Sequence, residues 1–162
     1  MIALRPALGQ DRFLIRRWLA EPALEEWWGT RASVEAEITL ALASESALAR
    51  IILQDGEPVG YAHAVDLSLW RQELPPELEA GTWDIGLFVA PLEQRVEGTE
   101  QALALLVGEV FATTLAIACC SLVSIRNEAA ARIFERAGFR WSRIWQDRQS
   151  GPAWVMVRAR PI

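Results

Sequence analysis

The sequence predicts one mixed α/β domain, a single sheet wrapped by helices, and three stretches carry that prediction. Ala49–Gln54 and Pro58–Ala62 flank Asp55-Gly56, which reads as two strands joined by a two-residue turn. Thr82–Val89, Gly98–Ala112 and Ile117–Ser124 read as strand, helix and strand. Asn127–Ala137 then reads as a short capped helix. Asn127 is a good N-cap, Glu128 stands where the helix dipole favours an anion, and Gly138 can turn left-handed past the last turn.

The other elements fill in around these. Ile2–Leu8 suits a first strand. Asp11–Leu19 places Phe13, Leu14, Trp18 and Leu19 on one helical face before Glu21-Pro22 stops the helix. A loop holding Glu25-Glu26-Trp27-Trp28-Gly29 leads to a second helix over Ser33–Leu42, where Val34, Ile38 and Leu42 return at helical spacing. Asp66–Gly81, with Trp70, Pro75-Pro76 and several Glu, is an irregular excursion of the kind that often carries binding surfaces. Phe139–Gln146 and Ala153–Arg160 close the order as two strands.

At 162 residues and 52% hydrophobic, the chain suits one domain spanning 1–162. No apolar run approaches the roughly 20 residues that span a bilayer, and Met1–Pro6 lacks a signal-peptide layout, so a soluble, cytoplasmic protein without a membrane role is expected. Cys119 and Cys120 are adjacent in an apolar run, where a strand would point them to opposite faces as reduced core residues. The lone His63 cannot by itself build a metal cluster, so no metal is expected. A net charge of −5 without a basic block disfavours nucleic acid and suits a cationic partner. All 16 basic residues are Arg, which excludes a lysine base or Schiff base.

The capped helix also carries a family pattern. Asn127-x-x-Ala130-x-x-x-Phe134-Glu135-x-x-Gly138-Phe139 resembles the last motif of the GCN5-related N-acetyltransferases (GNAT), and the element order resembles that family over nearly the full chain. Glu26–Gly29, Asp55–Ala62 and Trp83-Asp84-Ile85 are similar to segments of aminoglycoside 6′-N-acetyltransferases, and N-hydroxylysine acyltransferases of siderophore assembly share part of that vocabulary.

The resemblance implies a mostly antiparallel mixed sheet in the acyl-CoA N-acyltransferase fold, with acetyl-CoA as donor and a small cationic amine as acceptor. It implies direct transfer with Asp84 binding and deprotonating the acceptor. It sets Leu87, Phe88 and Val89 beside the pantetheine through their backbone, and Gln94, Arg95, Gly98, Thr99, Asn127 and Phe134 beside the rest of the cofactor. Trp27, Trp28 and Trp83, with Trp70, would wall an acceptor site edged by acids that include Glu79. Phe134 fills a slot where the family often has Tyr and cannot give a proton to a leaving thiolate. Water can, because a thiol of pKa about 8.5 leaves unaided. Tyr61, the sole tyrosine, reads as packing.

One stretch departs from the pattern. The family's pyrophosphate loop has the form Gln/Arg-x-x-Gly-x-Gly/Ala, whose small residues let backbone N–H groups approach the oxygens. If Gln94 opens it, Glu97 and Thr99 take the glycine slots; if Gly98 closes it, Glu93 and Val96 take the first two defined slots. Glu93, Glu97 and Glu100 would each repel a pyrophosphate by about 0.5 to 1 kcal/mol, opposed by Arg95. These residues support an alternative, a degenerate binding protein of the same fold that takes little or no acetyl-CoA. A siderophore-type N-hydroxylysine acyltransferase is the other alternative, and the oligomeric state, a homodimer included, stays open.

Overall fold

The computed structural model describes residues 1–22, 31–69, 73–90, 96–147 and 151–162. β1 (Ile2–Pro6) leads through a 3-10 turn at Gly9–Asp11 into α1 (Arg12–Leu19), and α2 (Arg31–Ala43) follows. β2 (Leu48–Gln54), β3 (Glu57–Asp66) and β4 (Thr82–Val89) come next, then α3 (Val96–Thr113), β5 (Ala118–Ser124), α4 (Glu128–Arg136), β6 (Arg140–Asp147) and β7 (Gly151–Ala159). The strands form one sheet in the order β1-β2-β3-β4-β5-β7-β6. Only β4 and β5 run parallel; every other neighbouring pair among the described residues is antiparallel.

Local chemistry explains the joints. Asp55 and Gly56 both have positive φ (50° and 86°), the conformation that twists a two-residue hairpin loop to match its strands. Gly60 pairs with Val89, and a Cβ there would lie 2.2 Å from the Phe88 carbonyl oxygen, so only glycine lets β3 and β4 approach this closely. Asn127 Oδ1 accepts from Ala130 N–H at 3.0 Å, and Gly138 (φ 92°) ends α4, as the sequence pattern predicts.

Two apolar layers sandwich the sheet. On one face Ala102, Leu103, Leu106, Val107 and Val110 of α3 and Ala130, Ile133 and Phe134 of α4 pack on Trp83, Ile85, Leu87 and Val89. On the other, Ile15 and Leu19 of α1 and Val34 and Ile38 of α2 pack on Ile51, Tyr61 and Phe88. β4 thus sends odd residues to the α3/α4 face and even ones to the α1/α2 face, as a strand's two-residue period requires.

Where β1 meets α1, Arg5 donates to both Asp11 carboxylate oxygens at 2.9 Å, and Leu8 N–H adds a bond of 2.7 Å. The Arg5 hydrogen bonds hold the Asp11 carboxyl below its ordinary range, with burial opposing them. A group whose folded pKa lies below its unfolded one stabilises fully above the unfolded value, about 4, and loses that contribution as pH falls through the folded value. Asp11→Asn is therefore expected to cost about 2 kcal/mol at pH 7. In urea unfolding at stepped pH, that gap should shrink below about pH 4. A gap that stays constant to pH 3 would contradict this assignment.

Candidate active site

β4 and β5 pair only at Thr82, Trp83 and Asp84 against Ala118, Cys119 and Cys120. Both strands run on, β4 to Val89 and β5 to Ser124, with no further rung between them. The sheet therefore opens a notch just beyond Asp84. Because the two strands are parallel and each is followed by a helix, the N-terminal ends of α3 and α4 come to the same open end. A helix N-terminus presents unpaired N–H groups and the positive end of its dipole, the chemistry that favours anions.

Asp84 stands at the last rung, half-buried, with its side chain toward the α1/α2 face. Across the rung Cys120 lies on the same face, its sulfur 4.0 Å from Asp84 Oδ1. Burial first, and then the Asp84 charge, push the Cys120 thiol well up, so it faces the carboxylate as a neutral S–H. Cys119 points to the other face, as the sequence predicts, and its thiol is pushed up to about 12, chiefly by burial. Both thiols are unreactive by these criteria.

On Asp84's other flank is a hydrogen-bonded chain that sequence reasoning missed. Val65 of β3 pairs with Asp84, and His63, two residues back on the same face, pairs with Gly86, which presents no side chain. Tyr61 and His63 are fully buried. Tyr61 Oη lies 2.9 Å from His63 Nδ1, and His63 Nε2 lies 3.1 Å from Glu37 Oε1 on α2. Burial, then the charge of Glu37, raises the Tyr61 pKa well above its ordinary value, so the phenol keeps its proton. A carboxylate only accepts, so His63 donates to Glu37 through Nε2–H, and the Tyr61 hydroxyl is hydrogen-bonded to the ring's other nitrogen, Nδ1. Glu37, His63 and Asp84 each offer an atom within 4.8 Å of the others. The histidine that the sequence presents as isolated thus stands among carboxylates.

The structure places the sequence-predicted residues unevenly. Trp83 belongs to the α3/α4 core, so its ring and the Asp84 carboxylate lie on opposite faces, as neighbours in a strand must. Leu87 and Val89 also point into that core, and Phe88 points to the α1/α2 side against Tyr61, 6.1 Å between ring centroids. Glu79 is exposed just before β4, its carbonyl accepting from Thr82 N–H at 3.1 Å. Phe134 is buried edge-on to Phe139, ring centroids 5.0 Å apart. Thr99 is buried in α3, and Gly98 is half-buried one position earlier. Trp27, Trp28, Trp70, Gln94 and Arg95 lie outside the described residues.

Two features at the open end bear on an anionic ligand. Glu100, one of the three carboxylates near the altered loop, pairs with Arg136 of α4, so its charge is offset within the protein. Asn127, the residue before α4, uses Oδ1 to cap that helix, whereas its Nδ2 is buried with no hydrogen-bond partner among the described residues. A buried unpaired amide donor costs about 1 to 3 kcal/mol, which an acceptor supplied by a ligand would recover. Among the described residues no helix is long and apolar enough to cross a membrane.

Comparison with known proteins agrees with this architecture. The family model for the acetyltransferase (GNAT) domain matches residues 7–146. The aminoglycoside N(6′)-acetyltransferases type 1 of Klebsiella pneumoniae and of Serratia marcescens are each 30% identical to it over 98% of this chain and 83% of their own. The crystal structure of aminoglycoside acetyltransferase AAC(6′)-Ib with coenzyme A superposes with a TM-score of 0.82 at 28% identity, covering 99% of this chain and 95% of that one. The same enzyme with ribostamycin and coenzyme A gives 0.82 at 28% identity over 98% and 93%. With its split sheet, its two helix N-termini at one end and these matches over nearly the whole chain, this protein belongs to the GNAT acetyltransferase family.

Proposed function

We infer that this chain moves the acetyl group of acetyl-CoA to an amine of a small cationic molecule of the aminoglycoside class, with Asp84 receiving the acceptor's ammonium proton. The observation that carries this reading is the position of Asp84 at the last rung before β4 and β5 part. A carboxylate there faces whatever enters the notch, and an amine must lose a proton to become a nucleophile. The net charge of −5 suits a polycation, and relatives 30% identical are named for the same chemistry.

The residues at the open end fit acetyl-CoA. The buried Asn127 amide would donate to an acceptor on the pantetheine arm, and the N-terminal turn of α3 would meet the pyrophosphate, with Gly98 and Thr99 in that turn and Gln94 and Arg95 leading to it. Arg136 offsets Glu100, so fewer carboxylates oppose the pyrophosphate than the sequence count suggests. When bound, acetyl-CoA supplies an activated thioester carbonyl. The protein's own tasks are to hold the amine beside Asp84, to take its proton at the carboxylate, and to leave the thiolate to solvent, since Phe134 has no proton to give. The reading places the protein in the cytoplasm, in keeping with two reduced cysteines.

Calorimetric titration with acetyl-CoA tests the donor, and kanamycin titration in the presence of coenzyme A tests the acceptor. The reading expects acetyl-CoA to bind in the micromolar range. Heat from kanamycin but none from millimolar acetyl-CoA would instead establish the binding-protein alternative, whose support is Glu97 in the first turn of α3. A preference for N-hydroxylysine over kanamycin would establish the siderophore alternative.

A further inference from the structure

We propose that Glu37, held by the buried Tyr61–His63 pair, is a second carboxylate of the acceptor site and grips the amine nitrogen that Asp84 serves. This rests on the reading of Asp84 given above.

The spacing supports it. A carboxylate oxygen of Glu37 and one of Asp84 lie within 4.8 Å of each other. A tetrahedral ammonium nitrogen donating at about 2.8 Å holds two acceptors about 4.6 Å apart, so one amine can reach both. Two carboxylates this close repel, and a cation between them turns the repulsion into attraction. The elements converge as this requires. Asp84 comes from β4 at the mouth of the notch, and Glu37 comes from α2, which covers the same face.

The hydrogen-bond chain supplies the second argument. His63 donates to Glu37 through Nε2–H and is itself held at Nδ1 by the Tyr61 hydroxyl, so a chain of two fully buried polar side chains ends on this carboxylate. A bond at one oxygen of Glu37 fixes the orientation of the whole carboxylate and limits the rotamers of a flexible side chain. Pre-organisation of that kind lowers the entropy lost on gripping a ligand. Glu37 also lies three residues after Val34 and four before Ala41, both buried, which aims it at the sheet. In these terms Glu37 would touch the acceptor, whereas His63 and Tyr61 are positioning residues.

The test is calorimetry of kanamycin binding to protein saturated with coenzyme A, with acetyl-CoA titrated separately, for wild type, Glu37→Gln, His63→Gln and His63→Leu. Loss of one charge-assisted bond predicts a kanamycin Kd raised about 10- to 100-fold in Glu37→Gln, with acetyl-CoA affinity and melting temperature unchanged. In turnover, KM for kanamycin should rise by more than kcat falls. His63→Gln keeps an N–H donor for Glu37 and should retain most of the affinity, whereas His63→Leu should resemble Glu37→Gln. A purely packing role for the chain predicts instead a lower melting temperature with kanamycin affinity intact. Kanamycin binding within about twofold of wild type in Glu37→Gln overturns the proposal and leaves Asp84 as the base. No kanamycin binding by wild type overturns both.

Discussion

Replacing Asp84 with asparagine is expected to lower kcat for amine acetylation by about 10²- to 10⁴-fold while the fold and acetyl-CoA affinity stay as they are. Asparagine has the shape of aspartate, so the Cys120 side of the rung and the β4–β5 pairing need not move. What it loses is the ability to accept a proton and the charge that favours an ammonium. The amine then lacks the carboxylate that receives its proton, and the chain offers no lysine to substitute. Steady-state kinetics with kanamycin, alongside a melting curve to confirm folding, read the effect. Turnover within about threefold of wild type would remove Asp84 from the reaction.

The largest loss of stability is expected at the far end of the chain. Arg160 donates to the carbonyls of Ala116 (2.7 Å), Phe111 (2.8 Å) and Thr114 (2.7 Å), and its guanidinium lies 5.1 Å from the Phe111 ring centroid. These carbonyls belong to the end of α3 and the turn into β5, where a helix leaves acceptors without donors and its dipole favours a cation. One planar fork therefore caps the helix that packs along the sheet and anchors the start of β5. Arg160→Ala leaves three acceptors to find other partners and is expected to cost about 3 kcal/mol, or roughly 10 °C in melting temperature. Arg160→Lys should recover less than half, because a single ammonium cannot match the fork. A melting temperature within about 2 °C of wild type in Arg160→Ala would show that the cap contributes little.

Much of the fold was legible in the chain because its signals are local. Asp55-Gly56 demands a tight turn wherever it lies, Asn127 and Gly138 mark both ends of α4, and the largely apolar run before Ser124 suits a strand buried on both faces. The strand order was not legible from the residues alone. β7 inserts between β5 and β6, a choice made by long-range packing and not by any turn residue.

The site shows the same division. Asp84 could be singled out from the words around it, but the group formed by Glu37, His63 and Tyr61 depends on how α2 packs over β3, and its approach to Asp84 on the β3–β4 register, neither of which a local pattern sets. Parity did hold a hint, since Tyr61 and His63 must share a face if β3 is a strand, and Glu37 shares a helical face with Val34 and Ala41. Trp83 is the converse case. Its closeness to Asp84 in sequence suggests a shared pocket wall, yet strand alternation sends it into the opposite core.

Acetyl transfer to an amine at the notch beside Asp84 leaves a product that can be weighed. Mass spectrometry of kanamycin incubated with acetyl-CoA and the purified protein tests this most directly. The predicted result is a single added acetyl group on one amine, formed by wild type and reduced to the uncatalysed level in Asp84→Asn. Unmodified kanamycin, with acetyl-CoA shown by calorimetry to be bound, would contradict it.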